Sequence, residues 1–267
     1  MASLSASFSR RAVLLVVVGC TGCAGEIRTK TPQTGHWRIN EDFPGLQRVL
    51  EDPAIYYVPG LLTDEECDAL ARKATPERLS WGGDGTGIAT RRTSNECRLG
   101  YDEVAGLQRR FSELLAMPTS HLEPLKLTRY GPGDYFKFHH DAERDGYPEG
   151  CADCPTPRCN RVVTLILYLN DAGLVGGATV FPNLPETTLS VPPRKGSCLV
   201  HFPSFAGDAP ERDFGKHDPR VGHLGAPVEA GEKLICQQWG WTGPLLRDKL
   251  ADGYAPDGWD WAGDPPL

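Results

Sequence analysis

The sequence has 267 residues, a length that fits one full-sized domain or one domain with an extension. Hydrophobic residues make up 40% and charged residues 24%, as in ordinary soluble globular proteins. Asp and Glu outnumber Lys and Arg by 35 to 28 and there is no long basic run, so nothing indicates a nucleic-acid partner. The 30 glycines and 23 prolines favour many short strands joined by turns.

The first 25 residues have the pattern of an export signal. Arg10 and Arg11 precede an apolar run over 12–18, and small residues follow. The run is shorter than the about 20 apolar residues of a transmembrane helix, so residues 1–25 predict a signal peptide or an uncleaved signal-anchor. We therefore expect the secretory pathway, in the lumen of the endoplasmic reticulum or attached to its membrane. Residues 17–20 also resemble a bacterial lipoprotein box, which makes an exported bacterial lipoprotein the alternative.

The rest of the chain divides into three parts. Residues 26–50 are polar without a sustained period and predict a linker. The folded domain is expected over 51–245, and residues 246–267 read as an irregular C-terminal extension. The sequence does not indicate an oligomeric state.

Two helices are predicted early in the domain. Thr63 and Glu66 form a capping box, and the apolar residues behind them recur at helical spacing. Residues 80–100 are rich in Gly, Thr, Arg and Ser and predict a loop. The second helix follows, with one apolar face made of Val104, Leu107, Phe111, Leu114 and Leu115.

After Pro118 the period changes from helical to strand-like. A mainly β domain with flanking helices is therefore predicted, with a jelly-roll or barrel core that the N-terminal helices buttress. The predicted strands, beginning with one before the first helix, are 53–58, 125–130, 135–139, 162–169, 178–181, 189–191, 197–202 and 232–239.

Three of the nine cysteines, Cys151, Cys154 and Cys159, lie close together. A structural zinc site takes four ligands, whereas this stretch has three and no neighbouring histidine. A loop disulfide is therefore predicted, and its pairing stays open.

His139 and Asp141 are the first candidates for a metal site. Residues i and i+2 of a strand point to the same face, so their side chains can meet while His140 faces away. Together with a distant second histidine they would form the two-histidine, one-carboxylate set of non-haem iron(II). The pair alone is a weak signal, since a His-x-Asp sequence is common by chance.

His201, His217 and His223 are the downstream candidates for the second histidine. His223 is favoured because Lys233 follows it at the start of an apolar strand. A lysine on an inward-facing position needs an anionic partner, which a dicarboxylate co-substrate would supply. The alternative for Lys233 is a solvated lysine at a strand edge.

Many short motifs follow one another in a fixed order over residues 53–239. They are Thr63–Cys67, Arg92–Ser94, Tyr130–Gly133, His139–Asp141, Tyr168–Asn170, Gly176–Pro182, Gly196–Val200, His223–Val228, Gly231–Lys233 and Trp239. By these motifs the chain resembles the prolyl 4-hydroxylase family of iron(II)- and 2-oxoglutarate-dependent dioxygenases. Phe136 and Ala178 depart from the family, which often has tyrosine and glutamate there.

The resemblance implies a double-stranded β-helix and a set of site residues. The iron ligands would be His139, Asp141 and His223. For 2-oxoglutarate, Lys233 would hold the distal carboxylate, with Tyr130 as a hydrogen-bonding neighbour and Tyr168 and Thr164 as weaker candidates. Contacts to a peptide would come from Arg92, Ser94 and Trp239. The alternative for the tyrosines is core packing, and for Arg92 the bracing of its loop.

The implied activity is hydroxylation, because the metal-binding carboxylate is retained at Asp141. The substrate would be a prolyl residue, modified at the 4-position, in an extended proline-rich peptide or protein. Fe(2+) would be bound, O2 and 2-oxoglutarate would be consumed, and L-ascorbate would serve as an auxiliary reductant. The alternatives are an oxygenase acting on a lysyl residue or a small molecule, and a non-catalytic jelly-roll binding domain. The insert 151–159 is expected near the mouth of the site, where it would affect the choice of substrate.

Overall fold

A computed structural model describes residues 12–15, 35–81, 92–146, 159–185, 187–206 and 213–245. These residues form short strands and two α-helices. The helices are α1 Asp64–Ala71 and α2 Tyr101–Leu115. The strands are β1 Ala12–Leu15, β2 Gln47–Leu50, β3 Ile55–Val58, β4 Ser80–Trp81, β5 Asn95–Leu99, β6 Leu125–Tyr130, β7 Phe136–His139, β8 Arg161–Tyr168, β9 Val175–Gly176, β10 Thr179–Phe181, β11 Thr187–Val191, β12 Cys198–His201, β13 His223–Gly225, β14 Val228–Ala230 and β15 Lys233–Trp241.

The strands form a large sheet and a small sheet. The large sheet has the order β2-β3-β12-β8-β15-β6-β5-β4, and the small sheet has the order β1-β11-β10-β13-β7. β9 and β14 pair separately. All pairings are antiparallel except that of β1 with β11. The two sheets enclose one apolar cluster between them, with Tyr168 and Ile235 from the large sheet and Phe181 and Leu189 from the small one. This arrangement confirms the predicted jelly-roll, or double-stranded β-helix, core.

The helices cover the outer face of the large sheet. In α2, Phe111 and Leu114 are fully buried and belong to the same cluster as Leu165 and Leu167 of β8. Successive strand residues point to opposite faces, so Thr164, Ile166 and Tyr168 of β8 point inward. The helical face predicted from the sequence is therefore the face that packs on the sheet.

α1 begins with the predicted capping box. The backbone N–H of Glu66 donates to Thr63 Oγ1 over 3.2 Å, and the Thr63 N–H donates to Glu66 Oε2 over 3.0 Å. Arg110 of α2 donates to both carboxylate oxygens of Glu66 over 2.8 Å. The cap thus also fixes the position of α1 against α2.

The linker prediction is wrong for residues 35–50. The side chain of His36 is buried with its Nε2 3.1 Å from the carboxylate of Asp218, and Ile39 belongs to the outer core. β2 lies in this segment and pairs with β3. Several contacts of this segment with the domain are polar, so it has few apolar residues. Its sequence therefore did not indicate that it packs on the domain.

The loop prediction for 80–100 is also wrong at its end. β5 lies between β4 and β6 in the large sheet. Its inward-facing residues are Glu96 and Arg98, which stand opposite Thr128 and Lys126. A strand with charged residues on its inner face lacks the apolar alternation by which strands are predicted.

Other predictions fall partly outside the described residues. β1 lies within the predicted targeting segment and pairs with β11, and no helix in the described ranges is long and apolar enough to cross a membrane. Cys159 takes part in a disulfide. Cys151, Cys154 and the predicted extension 246–267 are outside the described residues.

Replacing Thr63 by alanine removes the cap acceptor. We expect this change to lower the free energy of unfolding by about 1 kcal/mol, while Thr63→Ser, which keeps the hydroxyl, changes it by only a few tenths. Urea denaturation of both variants measures the difference. Equal losses in the two variants would show that the hydroxyl does not contribute through the cap.

Candidate metal centre

Strand pairing brings the predicted metal ligands together. His139 ends β7 and His223 begins β13, and these two residues stand directly opposite each other in the antiparallel register. Their ring centroids are 4.4 Å apart. Asp141 follows two residues after His139 and points to the same place. Ligand atoms of His139, Asp141 and His223 all lie within 4.8 Å of one another, and all three residues are buried.

Hydrogen bonds orient both imidazoles towards this point. Nδ1 of His139 lies 2.8 Å from the carbonyl oxygen of Lys137, and Nδ1 of His223 lies 3.3 Å from that of Val221. A proton on each Nδ1 satisfies these carbonyls and leaves the Nε2 lone pair for a metal. Nε2 of His139 and Oδ1 of Asp141 are buried without a hydrogen-bond partner in the part of the chain that the structure describes.

Burial also sets the charge states that a metal needs. Burial lowers the pKa of His223 well below its usual range, so this imidazole is neutral. Burial alone would raise the pKa of Asp141, but His223, His139 and His201 more than offset it and hold that pKa well below its ordinary value. A carboxylate and neutral imidazoles are the protonation states that ligate metals.

The donor set fits non-haem iron(II). Two imidazole nitrogens and one carboxylate oxygen form a facial triad, which leaves further coordination positions open for other ligands. His217 is not part of it: its ring lies tilted beside that of His140, with centroids 4.8 Å apart. His140 itself lies against Phe138 rather than in the cluster.

The second oxygen of Asp141 has protein partners of its own. Thr164 Oγ1 donates to Oδ2 over 2.8 Å. Thr164, predicted for the 2-oxoglutarate pocket, thus holds a metal ligand instead, because its inward position on β8 faces Asp141. His201 Nε2 lies 3.5 Å from the same oxygen. The sequence named His201 only as an alternative ligand.

Lys233 lies on the inner face at the start of β15, opposite Tyr130. Its side chain is 3% exposed, and Nζ lies 5.1 Å from the centre of the Tyr130 ring and 6.0 Å from that of Tyr168. No carboxylate of the described residues forms an ion pair with it. Burial lowers the pKa of Lys233 to about 8. A buried ammonium group with aromatic rings around it favours an anionic ligand.

The neighbours of Lys233 are suited to a carboxylate. Burial raises the pKa of Tyr130 to about 12, so its hydroxyl stays protonated and can donate. The Tyr168 hydroxyl donates to Thr179 over 2.8 Å. Gly177 has φ +68°, and a Cβ there would lie 3.1 Å from Lys233 Cδ, so this glycine gives the lysine its space.

The residues predicted to contact a peptide are buried in this structure. Arg92 lies over the ring of Phe136, 5.3 Å from its centre, and forms a 2.7 Å ion pair with Glu96. Phe136 in turn stacks on His139 with ring centroids 3.7 Å apart. Ser94 is fully buried. Arg92 therefore connects to the metal cluster through one aromatic ring.

Trp239 is fully buried, and cationic side chains lie over its ring. Arg161 lies 4.2 Å and Lys126 4.5 Å from its ring centre. Glu123 accepts from Arg161 over 2.7 Å and from the Trp241 indole over 2.6 Å. The sequence analysis missed this charged network, although an arginine directly before the apolar run of β8 was a signal for it.

Metal binding should stabilise the protein. With a divalent ion such as Co(II) at 100 times its dissociation constant, we expect about 2.7 kcal/mol of added stability. His139→Ala should abolish the gain in stability. His140→Ala should keep it, because the ring of His140 lies outside the cluster. Thermal unfolding with and without the ion measures the effect. A full gain in His139→Ala would rule out this ligand set.

Comparisons with known proteins agree with this geometry. Residues 125–241 match the model of the 2OG-Fe(II) oxygenase superfamily, a range that contains the metal cluster and Lys233. A protein of Acanthamoeba polyphaga mimivirus, described as a putative prolyl 4-hydroxylase, is 32% identical over 123 residues, which is 46% of either chain. The match thus spans about half of that relative's length.

Two further proteins match over more of the chain. Prolyl 4-hydroxylase 1 of Arabidopsis thaliana is 28% identical over 70% of this chain and 68% of its own. The structure of a viral collagen prolyl hydroxylase from Paramecium Bursaria Chlorella virus-1, solved with 2OG, is 26% identical and covers 70% of this chain and 95% of its own, with a TM-score of 0.50. With the buried triad and Lys233 in place, residues 125–241 are a 2OG-Fe(II) oxygenase domain, and the chain is similar to prolyl 4-hydroxylases over about 70% of its length.

Proposed function

We propose that this dioxygenase hydroxylates prolyl residues at the 4-position in an extended peptide or protein. The observation that carries the proposal is the buried triad with Lys233 behind it, in a chain whose relatives are described as prolyl 4-hydroxylases. A polyproline II segment is ordered before it binds, so its binding costs little conformational entropy.

The reaction has a simple balance. One O2, one 2-oxoglutarate and one C–H bond give succinate, CO2 and a C–OH group. Iron, held by His139, Asp141 and His223, would supply the oxidising chemistry when bound. L-ascorbate would serve as an auxiliary reductant that restores iron(II).

The residues around Lys233 would hold the co-substrate. The Lys233 ammonium would pair with the distal carboxylate of 2-oxoglutarate, and the protonated Tyr130 hydroxyl would donate to the same group. Ile166 and Ile235 line the same inner cluster and exclude water from it. A dry site strengthens the ion pair and keeps the reacting groups from solvent.

The substrate would approach from the side of β15 that carries Trp239. Trp239 stands opposite Thr164 in the register, and Thr164 donates to Asp141, so this part of the sheet adjoins the candidate metal ligands. Arg92 and Ser94 would contact the peptide on the side of Phe136. If residues 1–25 are an export signal, as their sequence predicts, the substrate would be met in the secretory pathway.

The pKa of Lys233 predicts how co-substrate binding depends on pH. Below about 8 the lysine is charged, and above it the proton is lost from the free enzyme. The KM for 2-oxoglutarate should therefore be flat below pH 8 and rise by about tenfold per pH unit above it. Lys233→Arg keeps its charge and should lack the rise. Steady-state succinate release measures both enzymes, and the same rise in Lys233→Arg would assign the titration to another group.

A direct assay tests the prolyl substrate. The full chain is incubated with Fe(II), labelled 2-oxoglutarate and a panel of proline-rich peptides, and mass spectrometry follows the addition of one oxygen atom per peptide. We expect the oxygen on proline, with one succinate released per hydroxyl formed. His139→Ala should form neither product, while His140→Ala should retain both.

Two other results would reject the prolyl assignment. Succinate release without any modified peptide would keep the oxygenase and remove proline as its target. Oxygen found on a lysyl residue in control peptides, or on a small molecule, would assign the enzyme to that substrate class instead of to prolyl residues. Fragment spectra that distinguish proline from its neighbours decide between these outcomes.

A further inference from the structure

A third histidine lies beside the metal cluster. His201 is the last residue of β12, stands opposite Thr164 of β8 and is 0% exposed. Its ring centroid is 4.7 Å from that of His223 and 5.3 Å from that of Phe181. These two rings contact its sides, so the position of the imidazole is fixed by packing.

Both ring nitrogens of His201 are buried without a hydrogen-bond partner among the residues that the structure describes. A buried polar group without a partner costs roughly 1–3 kcal/mol, so an apolar ring would be favoured here if packing were the only role. Asp141 Oδ2, an acceptor, lies 3.5 Å from its Nε2. A small movement would turn this approach into a hydrogen bond.

The two oxygens of Asp141 have different surroundings. Oδ2 accepts from the Thr164 hydroxyl over 2.8 Å and faces His201. Oδ1 has no hydrogen bond within the described ranges and lies 3.6 Å from His139 Nε2. Oδ1 is thus the oxygen that the protein leaves for the metal, and Oδ2 is the one by which the carboxylate can be held.

We propose that His201 is a positioning residue, which donates from Nε2 to Asp141 Oδ2 and fixes the rotation of the carboxylate so that Oδ1 faces the metal. Outer hydrogen bonds of this kind orient ligands and raise metal affinity. The proposal rests on the metal cluster and not on the identity of the substrate.

Three variants of the full chain separate positioning from packing. His201→Phe keeps an aromatic ring and removes both nitrogens. His201→Gln places an N–H near the position of Nε2, whereas His201→Asn carries the same amide on a shorter side chain that does not reach Oδ2. The comparison of Gln with Asn remains decisive if the phenylalanine variant does not fold.

The readout is Co(II) binding without substrate, measured by titration of its visible absorption. We expect His201→Phe and His201→Asn to raise the dissociation constant by about 10–100-fold, and His201→Gln to recover most of the affinity. X-ray absorption of the loaded protein should count two imidazoles in the wild type and in every variant. Melting of the metal-free proteins shows that each one is folded.

Three results would overturn the proposal. Unchanged affinity in His201→Phe would show that the ring does not hold Asp141. Equal losses of Co(II) affinity in the Gln and Asn variants would show that His201 acts only through packing. One imidazole fewer in the variants would make His201 a direct ligand. Since no peptide is present, a failed prolyl assay with normal Co(II) binding would reject the substrate and leave the role of His201 standing.

Discussion

The buried carboxylate of Asp141 is the constraint on which the rest of the site depends. Its side chain is only 2% exposed, and removing a carboxylate from water costs several kcal/mol unless other groups compensate. The groups around it are the imidazoles of His139, His201 and His223 and the hydroxyl of Thr164. A cation among these histidines would add to this compensation of the buried carboxylate.

The β-helix is what makes such a cluster possible. A cross-strand pair between β7 and β13 sets His139 opposite His223, while Thr164 and His201 come from a second cross-strand pair, between β8 and β12, in the other sheet. The metal site thus lies between the two sheets, and each sheet supplies part of it. Because side chains alternate along every strand, a slip of one residue in either pairing would turn these side chains away from the site.

The sequence predicted the chemistry of the site better than its surroundings. The spacing of His139 and Asp141 and the position of Lys233 follow from local alternation, which a single strand shows. The placement of His201 does not, because both faces of β12 are buried and its sequence has no alternation. Which face meets Asp141 is decided by the pairing with β8, a contact between distant residues. β5 escaped prediction for a related reason, since its inner face carries Glu96 and Arg98.

Those inward charges divide the interior of the β-helix into two chemical regions. Around Lys233 the walls are aromatic and aliphatic, and the single buried cation defines what can bind there: a compact anion.

Around Trp239 the walls carry Lys126, Arg161 and Glu123, held in ion pairs and over aromatic rings. Burial lowers the pKa of Lys126 to about 7, which shows how strongly this region is removed from water. Apolar residues of similar volume would often stabilise such a core at least as well as buried charges do. Recognition of the proposed peptide substrate would account for their presence, because peptide carbonyls need donors once they leave water, and the apolar region offers few. The same division would let one interior hold a charged co-substrate in one region and the proposed peptide in the other.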